Sequence, residues 1–542
     1  MERRPIGKTT TVEKEPNTTS KLHFWLKEGE VVAPFDLVSI EHIKNTRTIG
    51  VITEIMSLSD ANSHLTNYVS SEFGDPLSKP YVERMSATVA EVNVLRNTGT
   101  PEIVMPIPSD MSVYYATPDE IRLAVGTDKI KGTPIKVGAI KQTNGVQTAI
   151  DIDSDYLLGP EGAHINCSGI SGLATKTSFL MFVLYSIIQS LKNEVAAVIF
   201  NVKQADLLSI DQLNENINEE DEMLYKLLGL EIRPFHNVKY ILPRGSNGMK
   251  PDSDYIPDDY LTYAYALEDV YDKLDMLFAD TPDPYFTLDT FTTKIREEWK
   301  NGRLIIEDSG GKSKQASAPR VIKTWDDLKA IENSLLQEVY NLHPTTCPRI
   351  KRELGRLTSH SLFVNRRSSK EVYLGDEIKK IKGGEIIVVD IARIPSRTQP
   401  FIVGDVMRSI EDAYRTAEKD FPKKLIIFLD ELNSFVPSNS TNAISEQIVE
   451  IARKGRSRGI ILFGAEQFKS EVNDQIIGNC SVHALGRTGS AEIRRNAYSF
   501  LDEQSKLSVM NLGKGEIVLS VPTWRNPVKI KFPKPTYKNR GK

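Results

Sequence analysis

The sequence predicts an α/β protein with a mostly parallel central sheet, a small N-terminal β-barrel and a helical insertion. Three observations point there. A strand–loop–helix–strand passage occupies roughly 165–201, which is a βαβ unit. Short apolar runs recur at 386–390 (IIVVD), 425–430 (LIIFLD) and 460–464 (IILFG), the texture of strands buried on both faces. Residues 31–150 differ, being rich in β-branched residues broken by turn clusters.

Residues 1–30 are mostly polar and are expected to form a flexible arm. Barrel strands are expected near 31–38, 48–55, 87–96 and 135–140, with turns at the FGDP that starts at Phe73 and the NTGTP that starts at Asn97. The core domain is expected over 151–542. Within it lie a strand at 165–168, a Gly-containing loop, a helix over 177–190 and a strand at 196–201. A helical insertion is expected over about 210–345. It carries an acidic run at 214–222, read as a solvated helix start, a mobile loop at 308–318, and a helix at 324–345. A β-rich brace and a basic, solvated tail are expected over about 513–542.

Composition excludes several classes. Lys plus Arg total 68 against 72 Asp plus Glu, so any basic surface must be local. The 3 cysteines show no CxxC spacing, which excludes a disulfide scaffold and argues against a Cys-based zinc site. The N-terminus lacks the apolar stretch of a signal peptide, and the longest apolar run, 179–188, is too short to span a bilayer. The chain reads as soluble and cytoplasmic, with no membrane segment.

Chemistry concentrates in three motifs. CSGISGLATKTS, at 167–178, follows a strand and opens a helix, the setting of a phosphate-binding loop. Gly169 and Gly172 supply flexible backbone. Thr175, Lys176, Thr177 and Ser178 open the helix. Lys176 suits the β/γ phosphates and Thr177 suits Mg²⁺. The spacing departs from GxxxxGK[ST], because Thr175 stands where the last glycine belongs. The same text also suits a turn before a core helix. KKLIIFLDE, at 423–431, is a buried strand ending in two carboxylates. Asp430 is suited to the Mg²⁺ shell and Glu431 to the attacking water. Carboxylates in such a place also cap helices. RKGRSRGIILFGAEQ, at 453–467, is a basic turn leading into a buried strand. Arg456 could reach a neighbour's γ-phosphate, and Gln467 could sense the γ-phosphate. Lys203, Arg393 and Arg397 are candidate DNA contacts, with ordinary surface charge the favoured reading of each, and the basic tail, which could also bind DNA, reads first as solvated. His164 reads as a satisfied core or rim histidine.

Taken in order, these segments resemble a HerA-type ATPase of the HerA/FtsK superfamily. The likeness includes RTIGVIT from Arg47, AEVNVL from Ala90, FNVKQADLL from Phe200, NVKYILP from Asn237, GRSRG from Gly455 and GKGE from Gly513. It implies a RecA-like P-loop NTPase core, a HAS-like barrel over 31–150 and a homohexameric ring using ATP and Mg²⁺, with double-stranded DNA in the pore. It carries Lys176 and Thr177 to phosphate and Mg²⁺ binding, Asp430 to Mg²⁺, Glu431 to water activation, Arg456 to a trans-acting arginine and Gln467 to the sensor. Two positions depart from the family pattern, the loop before Lys176 and Glu466 in place of a small polar residue, and the first of these is similar to a branch found beside anti-phage effectors. There the ring works with a sirtuin-like NAD-consuming enzyme or a nuclease, expected to dock on the barrel face. The expected function is an ATP-dependent double-stranded DNA translocase. The alternatives are a weakly active ring that scaffolds an effector, and a secretion- or conjugation-type ATPase.

Overall fold

The computed structural model describes residues 3–77, 85–170, 175–246, 248, 250–279, 281, 283, 286–306, 320–331, 346–416, 420–439 and 442–540. The chain forms two compact units, each gathered from separated stretches. The first takes 1–154, 223–229 and 482–533, and the second takes 155–222, 230–481 and 534–542.

In the first unit, six antiparallel strands close into a barrel. Their order is Gly7–Thr10, Lys21–Leu26, Ser86–Asn97, Thr46–Ser59, Leu37–His42 and Ser112–Tyr115, which returns to Gly7–Thr10. Leu22, Phe24 and Leu26 alternate into a core with Val38, Ile40, Ile52, Val92 and Val113. Gly50 sits at a register shift, and a Cβ there would lie 2.3 Å from Val92 Cγ1. Only a glycine lets the two strands approach at that bulge.

Three expectations change here. Residues placed in a flexible arm supply two barrel strands, Gly7–Thr10 and Lys21–Leu26. The strand expected at 135–140 is real but lies outside the barrel. As Pro134–Lys141 it joins a run of antiparallel strands ordered Val482–Leu485, Glu516–Ser520, Val528–Lys531, Pro134–Lys141 and Gln147–Asp153. Residues 482–533 therefore belong with the first unit and not with a core running from 151 to 542.

The second unit is built on eight parallel strands. Their order is Glu371–Val372, Leu261–Tyr263, Val238–Pro243, Ile386–Asp390, Val195–Asn201, Lys424–Leu429, Ile460–Glu466 and Ile165–Ser168. The central strands are buried almost throughout, because helices such as Thr175–Leu191, Gln399–Thr416 and Ala443–Arg458 cover the sheet. The stretch 210–345 is not purely helical, since it gives the sheet two of its strands, Val238–Pro243 and Leu261–Tyr263. Its acidic run does open a helix, Glu219–Leu228, with four carboxylates in the first turn. The loop at 308–318 lies outside the described residues, as does most of the helix expected at 324–345. The described start of that helix, Trp325–Ala330, is capped by Thr324 and Asp327.

A polar cluster lies inside this unit's apolar core. Lys273 Nζ donates to Asp405 Oδ1 at 2.6 Å and to Tyr373 Oη at 2.7 Å, while Tyr265 Oη donates to Asp405 Oδ2 at 3.0 Å. The C-terminal tail, expected to be solvated, is packed. Tyr537 is buried, and Arg540 stacks over Tyr255 at 4.0 Å and donates to Ser209 Oγ at 2.6 Å. Among the described residues no helix is long and apolar enough to cross a membrane.

Candidate active site

Parallel strands present all their C-terminal ends on one edge, and loops leaving that edge gather the functional side chains. The strand Ile460–Glu466 lies between Ile165–Ser168 and Lys424–Leu429. At about 4.8 Å per strand, the phosphate-loop strand and the carboxylate strand stand about 10 Å apart. The first turn of the helix Thr175–Leu191 bridges that distance.

The loop begins where Gly169 N–H donates to Glu466 O at 3.2 Å. Gly169 takes φ +154°, a setting that side chains disfavour. Gly172 lies outside the described residues. Thr175, Lys176, Thr177 and Ser178 form the first helical turn, at the electropositive end of the helix, which favours anions. Lys176 is 5% exposed, and its Nζ donates to Gly169 O at 2.7 Å. Burial pulls this ammonium below its ordinary range, against the attraction of Asp430.

Asp430 is 4% exposed. Its Oδ2 accepts from Thr177 Oγ1 at 3.1 Å, and its Oδ1 accepts from Glu431 N–H at 2.9 Å. Two oxygens so placed suit adjacent corners of a Mg²⁺ octahedron, whose edge is about 2.9 Å for metal–oxygen bonds of about 2.05 Å. Among the described residues no group of three or more His, Cys, Asp or Glu gathers to hold a metal.

Glu431 stands at φ +56°, left-handed backbone that a glutamate rarely adopts, just before the short helix Leu432–Phe435. Such strain persists where surrounding contacts impose it, and it marks functional turns. Glu431 Oε1 accepts from Gln467 Nε2 at 3.1 Å, and the carboxylate also pairs with Lys203. Burial raises the Glu431 carboxyl, and the Lys203 ammonium more than reverses this, leaving it below the usual range. The sequence-expected residues Lys176, Thr177, Asp430, Glu431 and Gln467 therefore meet at one sheet edge.

Arg456 does not meet them. It sits near the end of the helix Ala443–Arg458, just before the strand Ile460–Glu466 begins, and donates to Glu161 O at 3.1 Å. A seven-residue strand puts it about 20 Å from the edge that holds Gln467. It cannot serve the site of its own chain.

Glu466 replaces a small polar residue expected from the resemblance. It is fully buried, and Asn166 Nδ2 donates to both its oxygens, at 2.8 and 2.9 Å. Burial raises its carboxyl strongly, and the nearby Lys469 ammonium is pushed down for the same reason. The Asn166–Glu466 pair ties the loop strand to the strand that precedes Gln467 from within. His164 is buried, as expected of a core histidine, but it is satisfied at one ring nitrogen only, since its Nε2 has no hydrogen-bond partner among the described residues. Its Nδ1 accepts from Leu462 N–H at 2.9 Å, and burial lowers its pKa to about 4.

Lys203, by sequence a candidate DNA contact or an ordinary surface charge, stands in the site instead. Its Nζ binds Glu431 and lies 3.5 Å from Asp430. Arg393 is ion-paired with Asp252 and Asp254 at 3.4 and 3.5 Å. The signal for Lys203 was its position two residues past a strand end. The adjacency of that strand to the Asp430 strand is a matter of sheet order, which the sequence does not spell out.

No family model and no curated protein matches the sequence. Among solved structures, the chain is similar to the bacterial conjugative coupling protein TrwBΔN70 (11% identity, 70% of this chain and 87% of that one, TM-score 0.45). It is similar also to VirB4 of Thermoanaerobacter pseudethanolicus (13% identity, 74% and 96%, TM-score 0.43). A third is the genome packaging NTPase B204 from Sulfolobus turreted icosahedral virus 2 (12% identity, 30% and 72%, TM-score 0.24). All three lie below a TM-score of 0.5, so the chemistry rests on the chain's own geometry.

Proposed function

We propose that this chain is an ATP-hydrolysing, Mg²⁺-dependent motor that acts on double-stranded DNA as a homohexameric ring. The observation that carries the nucleotide site is the meeting of Lys176, Thr177, Asp430, Glu431 and Gln467 at the C-terminal edge of a parallel sheet. The motor role rests on the ordered motifs and their resemblance to HerA-type ATPases.

Each residue has a task. The N–H groups of the Thr175–Ser178 turn and the Lys176 ammonium bind phosphate oxygens. Thr177 and Asp430 would hold Mg²⁺, which when bound supplies Lewis-acid polarisation of phosphate oxygens. Glu431 orients water for in-line attack and accepts its proton, and Gln467 fixes the carboxylate from the side. Most of the rate comes from positioning and electrostatics. Arg456, about 20 Å from its own site, acts on the site of the next subunit. A separate effector, a nuclease or sirtuin-like NAD-consuming enzyme, docks on the barrel face, with anti-phage defence as the setting and the cytoplasm as the place.

Thr175, standing where a glycine is usual, favours a second reading in which the ring is weakly active and mainly scaffolds the effector. One assay separates the two. ATP hydrolysis by the purified chain is measured with Mg²⁺, with and without linear double-stranded DNA, beside Lys176→Ala. The motor predicts DNA-stimulated turnover that the variant loses. Absence of turnover from an assembled, nucleotide-binding wild-type protein overturns the motor and leaves the scaffold.

A further inference from the structure

Lys203 presents a problem of charge. Asp430 is almost fully buried and Glu431 is adjacent to it, so two carboxylates share one poorly hydrated corner. Neighbouring like charges there repel strongly, because water screens them little. The Lys203 ammonium sits between them, bonded to Glu431 and 3.5 Å from Asp430 Oδ2. That Asp430 oxygen is the one that also accepts from Thr177. The ammonium therefore stands beside the oxygens that suit a divalent cation.

The placement is built in. Lys203 follows the strand Val195–Asn201, which pairs in parallel with the Asp430 strand, Phe200 opposite Leu429. Buried Asn201 pins the turn, its Nδ2 donating to Gln204 O at 2.6 Å and to Asp390 Oδ1 at 2.8 Å. Its Oδ1 accepts from Leu207 N–H at 3.1 Å. Gln204 completes the turn at φ +42°. A side chain leaving so constrained a turn has few directions open to it. The Lys203 side chain is still 38% exposed, so it has a route out to solvent.

We propose that Lys203 is a tethered counter-cation of this site: it neutralises Asp430 and Glu431 before nucleotide enters and is exchanged for the divalent cation that arrives with the nucleotide. The proposal rests on the nucleotide-site reading above. Its consequence is ordered loading. Metal alone must displace an intramolecular ammonium and binds weakly. Metal carried on a triphosphate brings its own anionic ligands, and binds without that handicap.

The test is a Mn²⁺ titration of the nucleotide-free protein, followed by the electron paramagnetic resonance signal of free Mn²⁺. Wild type and Lys203→Arg are expected to bind weakly. Lys203→Met is expected to bind roughly tenfold tighter or more, since one positive charge about 4 Å away has been removed. Adding Asp430→Asn to Lys203→Met should erase the gain. Equal affinity of wild type and Lys203→Met overturns the exchange, as does a gain that survives Asp430→Asn. A fluorescent ATP analogue titrated into wild type with Mg²⁺ separates the two levels. If it does not bind, the nucleotide-site reading falls and takes the exchange with it. If it binds while Mn²⁺ affinity is unchanged by Lys203→Met, the exchange alone is overturned.

Discussion

Glu431→Gln isolates the proposed chemical step. The amide keeps a carbonyl oxygen that can accept the 3.1 Å bond from Gln467 Nε2, so the side chain has reason to stay in place. The strained backbone at φ +56° is unchanged. What disappears is a proton acceptor, together with one negative charge facing Lys203. Loss of a positioned general base costs about 10²–10⁴ in rate. That is about 3–5 kcal/mol of transition-state stabilisation at 1.36 kcal/mol per decade. Because Lys176, Thr177 and Asp430 remain, nucleotide affinity is expected to hold, or to rise, since an anion near the γ-phosphate is gone. The assay is steady-state phosphate release with DNA, paired with equilibrium binding of a fluorescent ATP analogue. A fall in kcat with retained affinity is the expected split. Turnover within threefold of wild type would refute the role given to Glu431. Loss of binding equal to the loss of rate would refute the separation of chemistry from binding.

Two further outcomes test the scaffold around the site. Lys273→Met leaves the buried Asp405 carboxylate with only its tyrosine donors, at 2.7 and 3.0 Å, and should cost about 3 kcal/mol, the lower end for breaking a buried pair. Thermal unfolding measures this, and adding Asp405→Asn should recover most of the loss; a double variant no better than the single one would contradict the account. His164, with its pKa lowered to about 4 from an ordinary 6.5, favours the folded state while neutral. Its contribution is complete above about pH 6.5 and is lost as pH falls towards 4, about 3 kcal/mol in all. Wild type should therefore lose stability over that window more steeply than His164→Gln, which unfolding midpoints at several pH values would check.

The parts of the site that were legible share a physical cause. Buried parallel strands are short apolar runs, and residues at their ends face the functional edge, so IIFLDE exposes Asp430 and Glu431 in plain text. Lys203 was legible as a residue type but not as a neighbour, because strand order is set by long-range packing. The strand Gly7–Thr10 was illegible for a different reason. Its pattern, GKTT, carries no apolar alternation, and its place comes from backbone pairing with Trp25 and Ser112. The tail misled through its charge, since Arg540 is held by the Tyr255 face and Ser209 despite a composition that suggests solvent.

The interleaving of the two units has a cost during synthesis. Ala139, on the strand Pro134–Lys141, pairs with Lys531, so the ribosome must add 531 − 139 = 392 residues between one partner and the other. At about 5–20 residues per second, that strand waits about 20–80 s after leaving the exit tunnel before its neighbour exists. For that interval the hairpin of Pro134–Lys141 with Gln147–Asp153 offers an unpaired edge bearing Ile135 and Val137, the kind of surface that recruits chaperones or a second nascent chain. Assembly of the first unit is thus timed by the synthesis of the strand Val528–Lys531, and a truncated product lacking that strand would leave the ribosome with the edge still open.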